Sequence, residues 1–261
     1  MEFNRHIKNN NFLNLKQILM QKTQQLKLII SCCCLCGNAC QRQQLLCQHC
    51  QTDLPYFKQS LLGFDLLQWP AVQRIMPKAM FDQLLCLAPY RWPFSYWISQ
   101  LKYQGRADLA ILLANLTVQH WQEYLASISR PYCSDKRLVL SVPLHINKWQ
   151  QRGFNQAHLI AKYFAKQFNY TYQPELLIRE KATQSQVGKS GVERRKNLAN
   201  AFIINSEFYH QQNQSLAYFD HIILIDDVVT TGTTANEICK LLKKQGAQSI
   251  TLLSICLAIP D

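Results

Sequence analysis

Residues 222–234 constrain the fold of this chain more than any other stretch. They read Ile-Ile-Leu-Ile-Asp-Asp-Val-Val-Thr-Thr-Gly-Thr-Thr. The apolar, β-branched residues 222–225 predict a buried strand that ends at two adjacent acids, Asp226 and Asp227. A hydroxyl-rich loop follows, and helical apolar spacing begins at Ala235 and continues to a glycine stop. This order of elements predicts an α/β fold with the acids at the carboxyl end of a strand.

The same order of elements suits a phosphorylated sugar. Backbone N–H groups of a Gly/Thr loop and of a helix N-terminus bind a phosphate dianion. Adjacent carboxylates at the end of a strand bind ribose hydroxyls, directly or through Mg²⁺. A hydrophobic strand followed by Asp and Gly is also common in other α/β proteins, and an Asp-Asp pair alone is often a solvated loop. Because acids, hydroxyls, glycine and helix onset fall in one register here, we interpret the segment as a phosphate site.

The composition suits a folded chain with anionic partners. Its 261 residues, 48% of them hydrophobic, are enough for one substantial domain and a small module. The formal charge of +12 favours phosphorylated small molecules, nucleic acid or an anionic membrane surface, although Lys and Arg spread along a chain also serve solubility alone. No apolar run reaches the ~18 residues of a membrane helix, and Lys27 interrupts the apolar core that a signal sequence would need. We therefore expect a cytoplasmic protein without membrane insertion.

Seven of the eleven cysteines lie between residues 32 and 50. In a cytosolic chain clustered thiols bind metal more often than they form disulfides, and two Cys-x-x-Cys pairs can hold one structural Zn²⁺ through four thiolates. Gly37 suits the turn after the first pair. The expected ligands are Cys33, Cys36, Cys47 and Cys50. The choice stays open because other donors lie among them, namely Cys32, Cys34, Cys40 and His49. A redox-active or disulfide cluster is the alternative.

The chain divides into four predicted segments. These are an N-terminal extension (1–31), a zinc-finger module (32–56), a helical connector (57–84) and a larger domain (85–261). In the larger domain, predicted strands at 138–142 and 250–259 and a predicted helix at 157–168 accompany the opening segment. This alternation predicts a parallel or mixed sheet flanked by helices. The isolated cysteines are expected in the core: Cys86, Cys133, Cys239 and Cys256.

Residues 222–234 closely resemble the phosphoribosyl-pyrophosphate (PRPP) motif of type I phosphoribosyltransferases, and all thirteen positions match. PRPP carries a 5′-phosphate and a pyrophosphate, so Arg and Lys from other loops are expected around the second group. Candidates lie in a basic loop predicted for 143–152, in segment 152–156, among residues 179–186 and at 194–196. Alone, the last run would be interpreted as a solvated basic face. Beside the PRPP motif, we interpret it as part of the site.

The whole chain resembles the ComF/GntX family of phosphoribosyltransferase-like proteins, which is associated with bacterial competence and DNA uptake. The resemblance covers about residues 32 to 258 and implies a type I phosphoribosyltransferase fold with an N-terminal zinc-finger module. The N-terminal extension and the surplus cysteines depart from the usual pattern. The motifs are the paired Cys-x-x-Cys finger, Leu101-Lys102-Tyr103-x-Gly105-Arg106, Val142-Pro143-Leu144-His145, Arg152-Gly153-Phe154-Asn155-Gln156, Arg179 to Gln186, Glu193 to Phe202 and residues 222–234.

The resemblance also implies roles for the site residues. Asp226 and Asp227 would act as the catalytic pair, hold the ribose hydroxyls and help to place Mg²⁺. The Gly/Thr loop would bind the 5′-phosphate, and Arg194 would neutralise the leaving pyrophosphate. The expected PRPP-binding residues are Asp226, Asp227, Val228, Val229, Thr230, Thr231, Gly232, Thr233, Thr234 and Arg194. No acceptor is identifiable, so the enzyme would be a Mg²⁺-dependent phosphoribosyltransferase of unknown acceptor.

Two functions are compatible with these residues. The first is a PRPP-binding phosphoribosyltransferase-like protein that takes part in DNA uptake and natural transformation. The alternative is a single-stranded-DNA-binding adaptor of the uptake machinery, with competence proteins as partners and a regulatory PRPP site. It rests on the resemblance, on the basic charge and on the aromatics Trp92, Trp97 and Tyr103, although such residues are more often core. A purely structural, zinc-tethered adaptor is disfavoured by the intact phosphate loop.

Overall fold

The structure, a computed structural model, describes residues 31–40, 45–128, 136–180, 201–205 and 215–259. The chain forms two compact units, Met1–Leu54 and Pro55–Asp261. The finer boundaries predicted from the sequence, at residues 31, 56 and 84, stay predictions. The N-terminal extension lies outside the described residues up to position 30.

The smaller unit consists of short elements around the cysteine cluster. Strand β1 (Ser31–Cys32) pairs antiparallel with β2 (Ala39–Cys40), and a short helix, α1 (Gln48–Thr52), follows. Gly37 lies in the turn between the strands with φ 75°, a left-handed conformation that glycine adopts without a Cβ penalty. Elements of this length bury little apolar surface, so cross-links such as a bound metal normally supply the stability of such a unit.

A parallel sheet of five strands forms the centre of the larger unit. From one edge to the other the order is β3-β9-β8-β4-β5, and each neighbouring pair is parallel. Every residue of β9 is buried, as expected for a strand that is covered on both faces. The strands are β3 (Gln83–Pro89), β4 (Arg137–Ser141), β5 (Thr171–Tyr172), β8 (His221–Val229) and β9 (Ile250–Leu257).

Helices flank this sheet, and a small antiparallel pair, β6 (Leu177–Arg179) with β7 (Phe202–Ile204), lies beside it. The core includes residues from the segment before the sheet, because Phe57 and Val72 pack in one cluster with Leu224 of β8. No described helix combines the length and apolar character needed to cross a membrane. The helices are α2 (Gln59–Leu62), α3 (Pro70–Ile75), α4 (Phe94–Tyr103), α5 (Asp108–Ser127), α6 (Ile146–Arg152), α7 (Gln156–Phe168) and α8 (Thr233–Lys244), with 3₁₀ turns at Leu66–Gln68 and Leu216–Tyr218.

The predicted α/β architecture is confirmed, with two local differences. The strand predicted to end at Asp226 continues to Val229, because its backbone pairing with β9 persists as far as Leu257. The loop predicted for 143–152 becomes helix α6 from Ile146 onward. His145 starts this helix, since its Nδ1 accepts a hydrogen bond from the backbone N–H of Asn147 at 3.2 Å.

Three of the four cysteines expected in the core are buried: Cys86, Cys239 and Cys256. The fourth, Cys133, lies outside the described residues.

Candidate functional site

A cavity of about 390 Å³ opens in the larger unit beyond the ends of β4 and β8. Its walls come from the β8–α8 loop, from residues 142–144 after β4, from the start of α7 and from the end of α4. The carboxyl ends of parallel strands are where open α/β sheets bind ligands. Of the predicted PRPP-binding residues, all nine from Asp226 to Thr234 line this cavity. Arg194 lies outside the described residues, as do Lys181, Thr183 and Gln186.

The β8–α8 loop has the geometry of an anion cradle. Gly232 has φ 65°, and a Cβ built on it would lie 3.0 Å from the Sδ of Met76, so both conformation and space favour glycine here. The hydroxyls of Thr231 and Thr233 are 2.8 Å apart. Gly232, the N-cap of α8, has no side chain that could bond the first N–H groups of the helix, and the residues of this first turn line the cavity. Together with the helix dipole, these donors can hold a phosphate.

The two acids at the end of β8 differ in their partners. Asp226 accepts the backbone N–H of Asp227 through Oδ1 at 2.8 Å. Asp227 is buried, with 8% exposure, and pairs with Lys102 at the end of α4. The Lys102 Nζ lies 3.0 Å from Oδ1 and 2.9 Å from Oδ2 of Asp227. One member of the acidic pair, Asp227, is therefore already bound to a cation, Lys102 of helix α4.

The pKa values of Asp226 and Lys102 are both raised, for different reasons. Burial, together with the charge of Asp227, raises the pKa of Asp226 to about 7, while Lys102 and Arg179 act in the opposite direction. For Lys102, burial favours the neutral amine, but the attraction of Asp227 outweighs it and the pKa is raised. At neutral pH Lys102 is thus a cation, and Asp226 is close to its own titration.

Among its described residues, the cavity lining has four cationic side chains and two carboxylates. The cations are Lys102, Lys148, Arg152 and Arg179. Burial lowers the pKa of Lys148, and the charges of Arg179, Arg152 and Lys102 lower it further. These groups repel one another across a partly dry space. An anion with several charges would relieve that repulsion, which makes the cavity suited to a polyphosphate.

The N-terminus of α7 contributes a further donor. Gln156 is 1% exposed, lines the cavity and accepts a hydrogen bond from Arg152 Nη1 through Oε1 at 3.3 Å. Its Nε2 is buried and has no partner among the described residues. A buried amide N–H without a partner is costly, so this donor is available to a ligand. Lys102 and Gln156 were not assigned roles from the sequence, although the motifs that contain them signalled both, and Lys148 lies in the basic loop predicted for 143–152.

In the smaller unit, the structure brings the four predicted cysteines together. The sulfurs of Cys33, Cys36, Cys47 and Cys50 all lie within 4.8 Å of one another, and those of Cys36 and Cys47 are 3.7 Å apart. A tetrahedral Zn²⁺ with Zn–S distances of about 2.3 Å requires sulfurs about 3.8 Å apart. The geometry and the all-sulfur donor set therefore fit zinc. The other cysteines predicted as substitutes do not belong to this group.

Backbone donors favour the thiolate of one cysteine in this cluster. For Cys33, burial opposes ionisation, but hydrogen bonds from the backbone of Cys36, Cys47 and Leu35 lower its pKa to about 6. The side chain of Cys36 instead raises the pKa of Cys50. Because the thiolate is the metal-binding form, the backbone donors prepare the Cys33 sulfur for a cation.

The aromatics considered for nucleic-acid stacking separate into core and surface. Trp97 is 1% exposed and is a core residue, which is the more common role of such aromatics. Trp92 and Tyr103 are 67% and 73% exposed. Burial of Trp97 follows from its position on α4, where it lies on the buried face of the helix with Phe94 and Ile98.

Comparisons with known proteins agree with this geometry. The family described as phosphoribosyl transferase domain matches residues 178–259. The DNA utilization protein YhgH of Salmonella typhi is 31% identical over 224 residues, which is 86% of this chain and 89% of that protein. Competence protein F of Haemophilus influenzae is 31% identical over 234 residues, 86% of this chain and 90% of its own.

Competence protein ComFC of Bacillus subtilis is more distant, at 24% identity over 70% of this chain and 67% of its own. The adenine phosphoribosyltransferase of Leishmania donovani covers 60% of this chain and 68% of its own, at 13% identity and a TM-score of 0.25, which is too low to bear on the fold. The order of motifs, together with 31% identity to YhgH and to competence protein F over most of this chain and of each relative, establishes the family. This chain belongs to the ComF/GntX family of phosphoribosyltransferase-like proteins.

Proposed function

We propose that this protein binds PRPP with Mg²⁺ in the cavity of its larger unit, and that this site serves DNA uptake and natural transformation in the cytoplasm. One observation carries the proposal: a phosphate-binding helix N-terminus, an acidic pair and an excess of cations line the same cavity. The names of the relatives, competence protein and DNA utilization protein, support the link to DNA uptake. Clustered thiols that stay reduced support a cytoplasmic location.

Each part of PRPP has a matching part of the cavity. The 5′-phosphate would lie on the loop from Thr230 to Thr234, where N–H groups and hydroxyls converge. The ribose hydroxyls would lie at Asp226 and Asp227. The pyrophosphate would lie toward Lys148, Arg152 and Gln156, since neighbouring positive charges repel Lys148 and the Nε2 of Gln156 has no partner among the described residues. The predicted role of Arg194 at the pyrophosphate remains part of this proposal.

The acidic oxygens fit Mg²⁺, which prefers carboxylate and phosphate ligands. Bound with PRPP at Asp226 and Asp227, Mg²⁺ would neutralise charge on the pyrophosphate. The residues of the chain would do the rest in a transfer reaction. Lys148 and Arg152 would stabilise the negative charge that grows on the pyrophosphate as its bond to ribose C1 breaks and the acceptor bonds to the same carbon. The acceptor itself has no assigned site.

Calorimetric titration of the zinc-loaded full chain with PRPP and Mg²⁺ tests this proposal. The double variant D226N/D227N should lose binding while it stays folded. D220N is the matched control, because Asp220 is exposed beside the opposite end of the same strand. Equal PRPP affinity in wild type and D226N/D227N would reject the assignment. Pyrophosphate release with candidate bases then distinguishes turnover from binding alone.

One observation favours the second candidate, binding of single-stranded DNA. Trp92, Tyr96 and Tyr103 are exposed on α4 and just before it, and Tyr96 and Tyr103 are two turns apart on one helix face. The guanidinium of Arg152 lies 5.3 Å from the ring centroid of Tyr103. Exposed aromatics beside cations are the arrangement that binds single strands. Tyr103 also lines the cavity, so the surface proposed for DNA would border the cavity proposed for PRPP.

A further inference from the structure

The ion pair between Lys102 and Asp227 is part of the cavity wall rather than a surface contact. The Nζ lies within 3.0 Å of both carboxylate oxygens. The side chains are only 19% and 11% exposed, and both line the cavity. Solvent screening weakens ion pairs on open surfaces, but it acts much less on a pair with this little exposure. The contact is therefore a fixed feature of the cavity wall.

The position of this ammonium bears on how a metal reaches the acids. A divalent cation bound to Asp227 would sit about 2.1 Å from a carboxylate oxygen. The ammonium already contacts both oxygens of that group. Arg179 and Lys148 add positive charge to the same cavity lining. A bare divalent cation would thus meet a carboxylate that is occupied and a surrounding field that is positive.

We propose that Lys102 is the resident counter-cation of the acidic pair, and that it excludes a free divalent cation until PRPP brings the metal in. The second part rests on the proposed function. PRPP offers Lys102 new partners in its phosphate oxygens, so Asp227 is released for the ribose hydroxyls and the metal. Metal and PRPP then enter together, and the metal does not bind first.

Manganese alone tests the first part, because Mn²⁺ takes the same oxygen ligands as Mg²⁺ and is visible by electron paramagnetic resonance. Zinc-loaded full-length protein is titrated with Mn²⁺ without PRPP. Wild type should show only weak binding. K102M, which removes the cation and keeps an unbranched side chain, should gain one site that is at least about tenfold tighter. K102R should behave like wild type.

Two matched variants decide whether the gain comes from the acidic pair. K148M removes a cation from the same cavity without touching Asp227, and should not gain the site. K102M/D227N removes both partners, and should lose the site that K102M gains. Equal Mn²⁺ binding by wild type and K102M, or an equal gain in K148M, would overturn the proposal. Circular dichroism checks folding, and K102Q replaces K102M if the latter does not fold.

PRPP affinity tests the second part. We expect K102M to depend more on metal than wild type does, with the ratio of PRPP affinities in Mg²⁺ and in chelator raised at least about tenfold. An unchanged ratio would overturn the binding order. If wild type itself fails to bind PRPP, the proposed function is wrong, but the manganese experiment still decides the role of Lys102. The two failures are therefore distinguishable.

Discussion

Asn155 joins the N-terminus of α7 to the end of β4 through Val142. Its Nδ2 donates a hydrogen bond to the carbonyl oxygen of Val142 at 3.0 Å, while its Oδ1 accepts the N–H of Ala157 at 3.0 Å as the cap of α7. One side chain thus starts the helix and fixes it to the loop that lines the cavity. The two functions of the side chain can be separated by substitution.

We expect N155A to lose both bonds, and N155S to keep the cap but not to reach Val142. N155A should lower the free energy of unfolding by about 1 kcal/mol, the usual value of a lost cap, whereas N155S should lose less. Both should weaken PRPP binding by roughly tenfold, because Arg152 and Gln156 flank Asn155 and would no longer be held at the cavity. Chemical unfolding and calorimetry measure the two effects. Wild-type PRPP affinity in N155S would show that the Val142 bond does not matter to the site.

Gly232 supplies a second prediction, for the phosphate loop. G232A forces a Cβ into a left-handed conformation and within 3.0 Å of Met76 Sδ, so we expect a loss of about 1–2 kcal/mol in unfolding free energy and a clear loss of PRPP affinity. Gly246 provides a matched control, since it also has positive φ, at 94°, but lies beyond α8 and away from the cavity. G246A should cost stability without changing PRPP affinity. Equal PRPP affinity in wild type and G232A would argue against this loop as the phosphate site.

The PRPP motif was predictable because its chemistry is contiguous. The strand, the acids and the start of α8 all lie within residues 222–234, where local sequence determines both structure and ligand chemistry. The residue at which strand β8 ends was less predictable. β8 continues past Asp226 because β9 offers partners to its backbone, and that partner is distant in sequence.

The cations of the site were harder to assign, since they depend on tertiary packing. Lys102 reaches Asp227 across 125 positions, and no local pattern predicts that pairing. Likewise Trp92 and Trp97 look alike in the sequence, but only Trp97 falls on the face of α4 that packs inward. Lys148 and Gln156 line one cavity because α6 and α7 pack beside the β8–α8 loop, and local sequence does not predict that packing.

The raised pKa of Asp226 predicts a dependence of stability on pH. Its pKa in the folded chain, about 7, lies above the model-compound value of 3.8, so the folded state holds a proton that the unfolded state has lost between these limits. Stability therefore falls as pH rises from about 4 to about 7. D226N removes this cost, and should be more stable than wild type at pH 8, by about 4 kcal/mol if the whole difference between the two pKa values is recovered.

At pH 4 the same comparison should show almost no difference, because Asp226 is then neutral in wild type as well. Urea unfolding at both pH values measures the change, and D220N again controls for the loss of an exposed carboxylate. A difference between D226N and wild type that does not grow with pH would mean that Asp226 keeps an ordinary pKa. D226N should bind PRPP more weakly at every pH, because the Asp226 carboxyl group lowers stability but serves ligand binding.

The cysteine cluster predicts one zinc ion per chain. C36S should lose it, because three sulfurs leave a tetrahedral site incomplete and serine is a poor zinc ligand. C34S is the control, since Cys34 is exposed and outside the cluster. Elemental analysis after gel filtration gives the zinc content, and circular dichroism follows the loss of structure. Zinc retained in C36S would point to a substitute ligand among the neighbouring cysteines.

The exposed aromatics of α4 predict how single-stranded DNA would bind. Fluorescence titration with an oligonucleotide should show affinity that falls as salt rises, because phosphate contacts release counterions. The triple variant W92A/Y96A/Y103A should bind at least about tenfold more weakly, since each lost stacking contact is worth about 1–3 kcal/mol.

Y218A is the matched control, since Tyr218 is exposed but lies before β8, away from α4. Its side chain pairs with Lys136, so aromatic and cation are present there as well. If Y218A and the triple variant lost affinity equally, the α4 aromatics would have no special part in DNA binding. Weaker DNA binding in W92A/Y96A, which keeps the cavity residue Tyr103, at unchanged PRPP affinity would separate the DNA surface from the sugar-phosphate site that it borders.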